Sequence, residues 1–179
     1  MENKKTFFII VIVLIVVLVG GVLLYNMLSN SFDPISPVNP DGNYTTAADF
    51  TINNNSGTSE TLSQHFGKPI VVNVWATWCG PCVNELPHFQ TLYNEINEDV
   101  TFIFVNLDSN PETARNFMAN KGYSFPLYFD YESSLVNTYG VTSIPVTLFI
   151  NANGELVHRQ VGSMTETTLR TYIDLIYKC

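Results

Sequence analysis

Positive charge is scarce in this sequence. Of its 179 residues only 8 are Lys or Arg, against 16 Asp or Glu, and the formal net charge is −8. No basic residue occurs between Lys5 and Lys68, and the others form no basic stripe interleaved with aromatic side chains. Such a composition argues against a nucleic-acid-binding surface and against adsorption to anionic lipid. We therefore interpret the acidic balance as a source of solubility and expect no nucleic-acid partner.

Cysteine and histidine are also few, with 3 of each. Cys79 and Cys82 form the only close pair, and no second pair completes the four ligands of a structural zinc site. We therefore expect no metal. A static disulfide stays open as an alternative, although so short a loop constrains the unfolded chain very little. The remaining cysteine and the three histidines are scattered singly along the sequence. We assign no role to Cys179, His65, His88 or His158.

Charge is absent altogether from residues 7–24, where nearly every side chain is aliphatic or aromatic. At about 1.5 Å per residue, this run approaches the roughly 30 Å of a bilayer's hydrocarbon core. Lys4 and Lys5 precede the run, so the positive-inside rule places the N-terminus in the cytoplasm. We predict a cytoplasmic tip and a transmembrane anchor in residues 1–28, with the rest of the chain on the outer face of the cell membrane.

A cleaved signal peptide is the alternative interpretation of the same run, because Val19-Gly20-Gly21 supplies small residues near a cleavage position. The apolar run continues past these residues, which favours an uncleaved anchor. Residues 29–47 contain several Pro, Asn and Ser without apolar periodicity. This composition predicts an extended linker, followed by a folded domain in residues 48–179.

The most informative pattern is the run Trp-Ala-Thr-Trp-Cys-Gly-Pro-Cys in residues 75–82, which follows an apolar stretch typical of a buried strand. Two cysteines three apart at a strand-to-helix junction indicate a redox-active dithiol. Cys79 falls at the first turn of the helix, where unpaired backbone N–H groups and the helix dipole favour a thiolate. We predict Cys79 to be the solvent-accessible nucleophile and Cys82 to be the shielded thiol that resolves mixed disulfides.

Apolar periodicity and turn residues predict an α/β domain. A hairpin in residues 50–62 is expected to cover one edge of the sheet, and the helix that starts near Cys79 presents its apolar stripe to the core. The alternation of strands and helices is typical of a sheet with parallel members. The further predicted strands span residues 69–75, 101–107, 125–129, 146–150 and 156–161, and the further helices span residues 111–121, 133–139 and 165–177.

With these residues in place, the domain resembles the thioredoxin-fold family, and within it the membrane-anchored TlpA- and ResA-like thiol-disulfide oxidoreductases, which are related to the redoxins. The resemblance covers about residues 48–177 and rests on Trp78 to Cys82, Glu85-Leu86-Pro87, Phe125-Pro126-Leu127 and Ile144-Pro145. It implies a thioredoxin-like fold with an N-terminal β-hairpin and a central βα insertion, and it implies no cofactor.

The resemblance also gives roles to residues outside the dithiol. It implies a cis peptide bond between Ile144 and Pro145, in a loop that lies against the dithiol and offers backbone hydrogen bonds to a substrate strand. Together with Trp78, Gly80 and Pro81, this loop forms the expected substrate-binding surface.

Glu85 has two interpretations. Its place near the start of a helix is typical of a solvent-exposed acid favoured by the helix dipole. It also lies three residues beyond Cys82 and so faces the same way as that thiol. The resemblance implies a partly buried glutamate here, with Asn73 where thioredoxin has a buried aspartate. Burial would raise the pKa of Glu85 and suit it to relay protons to Cys82.

The leading interpretation is an extracytoplasmic reductase of disulfides in exported proteins, such as apocytochromes, that is re-reduced by a membrane electron donor. Gly80-Pro81 is the dipeptide that plain thioredoxin has between its cysteines, so the resemblance favours a reductant. Thioredoxin-type couples lie at about −270 mV, whereas strong oxidants lie at about −120 mV. An oxidant that forms disulfides stays open as an alternative. So does a binding module with a static disulfide, whose activity would survive the loss of Cys82. A peroxidase is disfavoured because its cysteine and arginine motif does not occur in the sequence.

Overall fold

The computed structural model of the protein describes residue 11, residues 13–23 and residues 44–178. Residues 11 and 13–23 are helical and belong to a separate unit of the chain from the C-terminal domain. No helix in the described part of the chain is long and apolar enough to cross a membrane. Residues 1–10, 12 and 24–28 of the predicted anchor, and residues 29–43 of the predicted linker, lie outside the described residues. The transmembrane helix therefore stays a prediction.

The described part of the domain contains an 8-stranded mixed sheet with the order β1-β8-β7-β4-β5-β6-β2-β3. The strands are β1 (Thr45–Thr46), β2 (Thr51–Asn54), β3 (Ser59–Thr61), β4 (Ile70–Trp75), β5 (Thr101–Asn106), β6 (Leu127–Phe129), β7 (Val146–Ile150) and β8 (Glu155–Val161). The helices of this domain are α1 (Gly80–Ile96), α2 (Pro111–Lys121), α3 (Ser134–Thr138) and α4 (Glu166–Lys178), with a 3-10 turn at Leu62–His65.

β4 is the central strand beside which the candidate site forms. All of its residues are buried, as expected for an apolar strand that is covered on both faces. It runs parallel to β5 and antiparallel to β7, so its C-terminal end lies beside the start of β7. Asn73 is the one polar residue in this strand, and its side chain is buried with the others.

α1 packs its predicted apolar stripe into the core. Leu86, Phe89 and Leu92 are buried, and the ring of Phe89 meets Phe104 of β5 edge to face at a centroid distance of 5.3 Å. Side chains of α2 and α4 belong to the same hydrophobic cluster. Burying each large apolar side chain stabilises the fold by about 1.5–3 kcal/mol, which holds the N-terminus of α1 in place next to β4.

The predicted hairpin and the predicted βα insertion are both present. β2 and β3 form a hairpin at one edge of the sheet, where β2 pairs with β6. In the insertion, α2 spans the predicted residues between Asn110, whose Oδ1 accepts the N–H of Glu112, and Gly122 at φ 70°. A left-handed residue after the last turn is the usual place for glycine, which explains the sharp end of this helix.

Two predicted boundaries differ from the structure. The predicted linker extended to residue 47, but Thr45–Thr46 pairs antiparallel with β8, and the N–H of Ala47 donates to the carbonyl oxygen of Gly154 at 2.9 Å. A strand this short leaves no periodic pattern to detect. β6 starts only at Leu127, because Pro126 has no N–H for a sheet hydrogen bond. The other predicted elements agree with the structure to within one residue at each end.

Candidate active site

The site starts at the junction of β4 and α1, where the chain leaves a buried strand and enters a helix. Cys79 is the N-cap residue of α1, and Cys82 lies in the first turn. A disulfide bond joins them, with their Cα atoms 5.2 Å apart. The N–H of Cys82 donates to the Sγ of Cys79 at 3.2 Å, so this sulfur takes the position of a capping side-chain oxygen. The predicted cysteine pair is present in its oxidised form.

The surroundings of Cys79 favour a negatively charged sulfur once the disulfide is reduced. Its Sγ faces the N-terminus of α1, where backbone N–H groups and the helix dipole stabilise an anion. Residues 80–83 contain no acidic side chain that would oppose a thiolate. These features support the prediction that Cys79 is the nucleophile of the pair.

The two cysteines differ slightly in exposure in the disulfide form. Cys79 is 6% exposed and Cys82 is 0% exposed. The order of exposure is the expected one, and the accessibility of the Cys79 thiol in the reduced protein stays a prediction. The loop that precedes β7 limits the exposure of Cys79, because the carbonyl oxygen of Ile144 lies 3.7 Å from the Sγ of Cys79. This main-chain acceptor stands directly beside the sulfur.

A cavity of about 480 Å³ opens beside the disulfide. None of the described residues that line it is charged, so it offers apolar contacts and hydrogen bonds to uncharged groups. Trp78 forms part of its rim and is 70% exposed, whereas Trp75 is buried in the core. The cavity is lined by Trp78, Cys79, Gly80, Pro81, Leu107, Val141, Thr142, Ser143 and Ile144.

This cavity brings together the predicted substrate-binding residues except Pro145. Pro145 is buried and is joined to Ile144 by the predicted cis peptide bond. Its carbonyl oxygen accepts the N–H of Gly162 at 2.9 Å, which ties the loop to the end of β8. The sequence analysis did not identify Leu107 or residues 141–143 as lining residues. They lie far from the dithiol in sequence, and only the strand pairing brings them to it.

Glu85 is 1% exposed, so the interpretation as a solvent-exposed helix acid is wrong. Its Oε1 accepts the side-chain N–H of Asn73 at 3.0 Å, and its Oε2 accepts the backbone N–H of Met164 at 2.8 Å. Burial raises the pKa of Glu85 to about 7, because removal from water disfavours the carboxylate more than the two hydrogen bonds favour it. The predicted burial and raised pKa agree with this environment, and the role in proton transfer stays a prediction.

Thr147 and Met164 are two further site residues that the sequence analysis missed. Thr147 of β7 contributes its Oγ1 as a second acceptor for the Asn73 side chain at 3.0 Å. The one available signal was Asn73 itself, a polar residue inside an apolar strand, since such a group needs buried hydrogen-bond partners. Its partners could not be named from sequence, because Thr147 and Met164 lie far along the chain.

The histidines do not join the site. His65 pairs with Glu60 at 3.1 Å, and His88 lies 3.9 Å from a carboxylate oxygen of Glu166. The ring of His158 stacks on Tyr172 at a centroid distance of 3.9 Å. Cys179 lies outside the described residues.

The Redoxin family matches residues 41–176 of this chain. The chain is similar to the thiol-disulfide oxidoreductase ResA of Halalkalibacterium halodurans, with 35% identity over 131 residues that cover 73% of this chain and 74% of that protein. It is 32% identical to ResA of Bacillus subtilis over 131 residues, which cover 73% of each.

Solved structures show the same likeness. StoA from Bacillus subtilis superimposes with a TM-score of 0.61 at 27% identity, covering 70% of this chain and 96% of that chain. The exposed lipoprotein thioredoxin of Streptococcus pneumoniae gives a TM-score of 0.61 at 28% identity, covering 71% of this chain and 99% of that chain.

The raised pKa of Glu85 predicts that the folded protein loses stability as the pH rises. The folded state retains this proton up to about pH 7, whereas the unfolded chain releases it near the ordinary value of 4.5. Between these values the folded state binds more protons, so the free energy of unfolding falls with rising pH and this contribution levels off above about 7. The expected loss from Glu85 is about 3 kcal/mol. Urea unfolding of the oxidised protein from about pH 4.5 to about pH 8 measures it.

Two variants isolate this contribution. Glu85→Gln carries no titrating proton at this position and is expected to show a flatter pH dependence than the wild type. Glu98→Gln, at an exposed position beyond the end of α1, is expected to keep the wild-type dependence. Equal pH dependence in the wild type and Glu85→Gln would mean that the burial of Glu85 does not shift its titration.

Proposed function

This chain belongs to the Redoxin family of thioredoxin-like thiol-disulfide oxidoreductases, and we propose that it reduces disulfide bonds of exported proteins at the outer face of the cell membrane. The observation that carries the proposal is the Cys79–Cys82 pair at the N-terminus of α1, beside an uncharged cavity and one helical turn from the buried Glu85. The relatives named thiol-disulfide oxidoreductase ResA support the same chemistry.

The reaction proceeds by two thiol-disulfide exchanges. The Cys79 thiolate attacks one sulfur of the client disulfide, which forms a mixed disulfide and releases the other client sulfur as a thiolate. Cys82 then loses its proton and attacks the Sγ of Cys79, which releases the second client thiolate and leaves the Cys79–Cys82 disulfide. Two electrons pass to the client, and the client thiolates take up protons. A membrane dithiol donor returns the protein to its reduced form.

Client binding at the cavity would use main-chain contacts. The carbonyl oxygen of Ile144 lies 3.7 Å from the reacting sulfur of Cys79, so a client backbone N–H donating to it would place the client disulfide beside the nucleophile. The uncharged lining of the cavity suits an extended segment with small or apolar side chains next to its cysteine. The proposed clients are exported proteins whose disulfides must be opened before further processing, apocytochromes among them.

Glu85 is proposed to exchange a proton with Cys82 in the resolving step. The two residues are three apart on α1 and so lie on the same side of the helix. A carboxyl group with a pKa of about 7 is able both to accept and to return a proton near neutral pH.

One observation favours the alternative of a disulfide-forming oxidant. The N–H of Cys82 that donates to the Sγ of Cys79 stabilises a thiolate, and stabilising the reduced form makes a couple more oxidising. Gly80-Pro81 favours the opposite direction. The direction of electron flow follows from the balance of these effects.

The proposed location depends on a membrane anchor, which we propose for residues 1–28. Residues 7–24 carry no charge and follow Lys4 and Lys5, and residues 11 and 13–23 are helical. The aliphatic side chains of residues 13–19 are exposed on this helix. Burying them in lipid would gain about 25 cal/mol for each Å² removed from water. An anchor would also keep the domain close to a membrane electron donor.

Cysteine variants test the reaction. Cys82→Ala is expected to accumulate mixed disulfides with clients and to lose turnover, because the resolving thiol is absent. Cys79→Ala should trap no client, and Cys179→Ala is the matched control that should behave as the wild type. Non-reducing electrophoresis of membranes from cells that express each variant measures trapping. Full activity in Cys82→Ala would contradict the reaction and support a binding module with a static disulfide.

The reduction potential of the same wild-type protein then decides the direction. A value close to about −270 mV is expected for a reductase, whereas a value close to about −120 mV would support the oxidant.

The role of Glu85 has its own test. Glu85→Gln is expected to keep the fold but to lose the step near pH 7 in the rate of thiol-disulfide exchange, because an amide cannot exchange a proton in this range. Exchange rates measured across the pH range, with circular dichroism to check folding, give the comparison. Glu98→Gln serves as the exposed control. Superimposable profiles for the wild type and Glu85→Gln would rule out the proton relay.

The anchor is tested with a reporter enzyme that is active only outside the cytoplasm. Fusion after Tyr44 is expected to give activity in the membrane fraction, and fusion after Lys5 should give none. Mass spectrometry of the mature protein should find residues 1–28 retained. A shortened product released from the membrane would instead support a cleaved signal peptide.

A further inference from the structure

A buried polar network links α1 to the two central strands of the sheet. The Nδ2 of Asn73 on β4 donates to the Oε1 of Glu85 and to the Oγ1 of Thr147 on β7, both at 3.0 Å. Asn73 and Thr147 are each 0% exposed. The Oδ1 of Asn73 has no hydrogen-bond partner among the described residues.

This arrangement suits only one protonation state of Glu85. Both carboxyl oxygens face N–H donors, namely Asn73 at Oε1 and the backbone of Met164 at Oε2. A carboxylate accepts from both, but a protonated carboxyl group carries an O–H that needs an acceptor. The N–H of Met164 belongs to the main chain and cannot exchange donor for acceptor. The side chain of Asn73 can exchange donor for acceptor, because its Oδ1 and Nδ2 groups have nearly the same shape and opposite hydrogen-bonding character.

We propose that the side-chain amide of Asn73 reverses when Glu85 gains a proton, and that Asn73 is thus a positioning residue that holds this carboxyl group in both protonation states. In the reversed orientation, the Oδ1 of Asn73 accepts the O–H of Glu85 at Oε1. The same Oδ1 accepts the hydroxyl of Thr147, which changes from acceptor to donor. The reversal needs rotation of one side chain and no movement of the main chain.

The unpartnered end of Asn73 does not decide between the two orientations. Oδ1 occupies this buried position in the observed orientation, and Nδ2 would occupy it in the reversed one. The cost of removing a polar atom from water is therefore similar for both orientations. Thr147 is also satisfied in both, because a hydroxyl both donates and accepts. The proton on Glu85 therefore selects the orientation of the amide.

The charged and titratable groups around Glu85 do not alter the effect of its proton on the orientation of the Asn73 amide. The neighbours on β4, on β7 and ahead of α4 are Asn73, Thr147 and the backbone of Met164, all of them neutral. On α1, Cys82 is held in the disulfide, and His88 lies 3.9 Å from Glu166. Burial is the main cause of the raised pKa of Glu85, and no charged side chain of the described residues is among the other causes.

Nuclear magnetic resonance of the oxidised full chain in detergent micelles tests the reversal. With ¹⁵N-labelled Asn and ¹³C-labelled Glu, the Asn73 side-chain amide and the Glu85 carboxyl carbon are followed between pH 5 and pH 9, a range of about two units on each side of the expected midpoint. The two signals are expected to shift with one midpoint. The cross peak between the Asn73 side-chain protons and the Hβ of Thr147 is expected above that midpoint and lost below it.

The control is Glu85→Gln, in which the Asn73 amide signal should no longer change with pH. A Thr147 cross peak that persists through the titration of Glu85 would overturn the reversal, and so would a carboxyl signal that does not titrate. An amide shift that survives in Glu85→Gln would also overturn it. The inference shares Glu85 with the proposed function but does not depend on electron transfer. Failure of client trapping with an intact amide transition would refute the proposed function alone.

Discussion

The pairing of β4 with β7 is the constraint on which the site depends. Val74 stands opposite Val146 in this antiparallel pair, so the residues that follow β4 run beside those that precede β7. The first segment leads to Cys79 and the second ends at Pro145, which is why the carbonyl oxygen of Ile144 meets the reacting sulfur. A slip of one residue would turn every side chain of the strand to the other face and separate these groups. The register of one strand pair thus sets the nucleophile, the rim and the main-chain acceptor together.

The buried trio of Asn73, Glu85 and Thr147 works against the stability of the same core. Replacing buried polar or ionic groups with well-packed apolar ones is often neutral or stabilising, so stability alone does not account for a carboxyl group at this place. Burial does raise the pKa of Glu85 to about 7, which is where a proton donor and acceptor for thiol chemistry is useful. The proposed exchange of a proton with Cys82, one helical turn away, would give this unfavourable burial a chemical purpose.

Local signals made much of the fold predictable from the sequence. The bounds of α2 follow from Asn110, Pro111 and Gly122, whose preferences for the helix ends act within a few residues. The strand-to-helix placement of Cys79 and Cys82 was likewise local. The cis bond before Pro145 came from the family resemblance, since few X-Pro bonds are cis on average. Thr147, Met164 and the shielding of Cys79 depend on contacts between distant segments, and no pattern near Glu85 or Cys79 encodes those partners.

Two negative charges at once are unfavourable in this buried site, and this constraint links the proposed proton transfer to the thiol-disulfide exchange. Cys82 is fully buried, so a thiolate there beside a Glu85 carboxylate would place two like charges one helical turn apart in a medium that screens them poorly. In the proposed relay, passing the proton from Cys82 to Glu85 would create the attacking thiolate and neutralise the carboxylate in the same step, so that the buried charge would stay constant. Attack on Cys79 would then consume the thiolate in a disulfide, and the charge would leave with the client. Glu85 would be left protonated in the oxidised protein, and with a pKa of about 7 it would release that proton near neutral pH. Under this proposal the network around Glu85 would have to hold the carboxyl group in both states, and the proposed reversal of the Asn73 amide would meet that need.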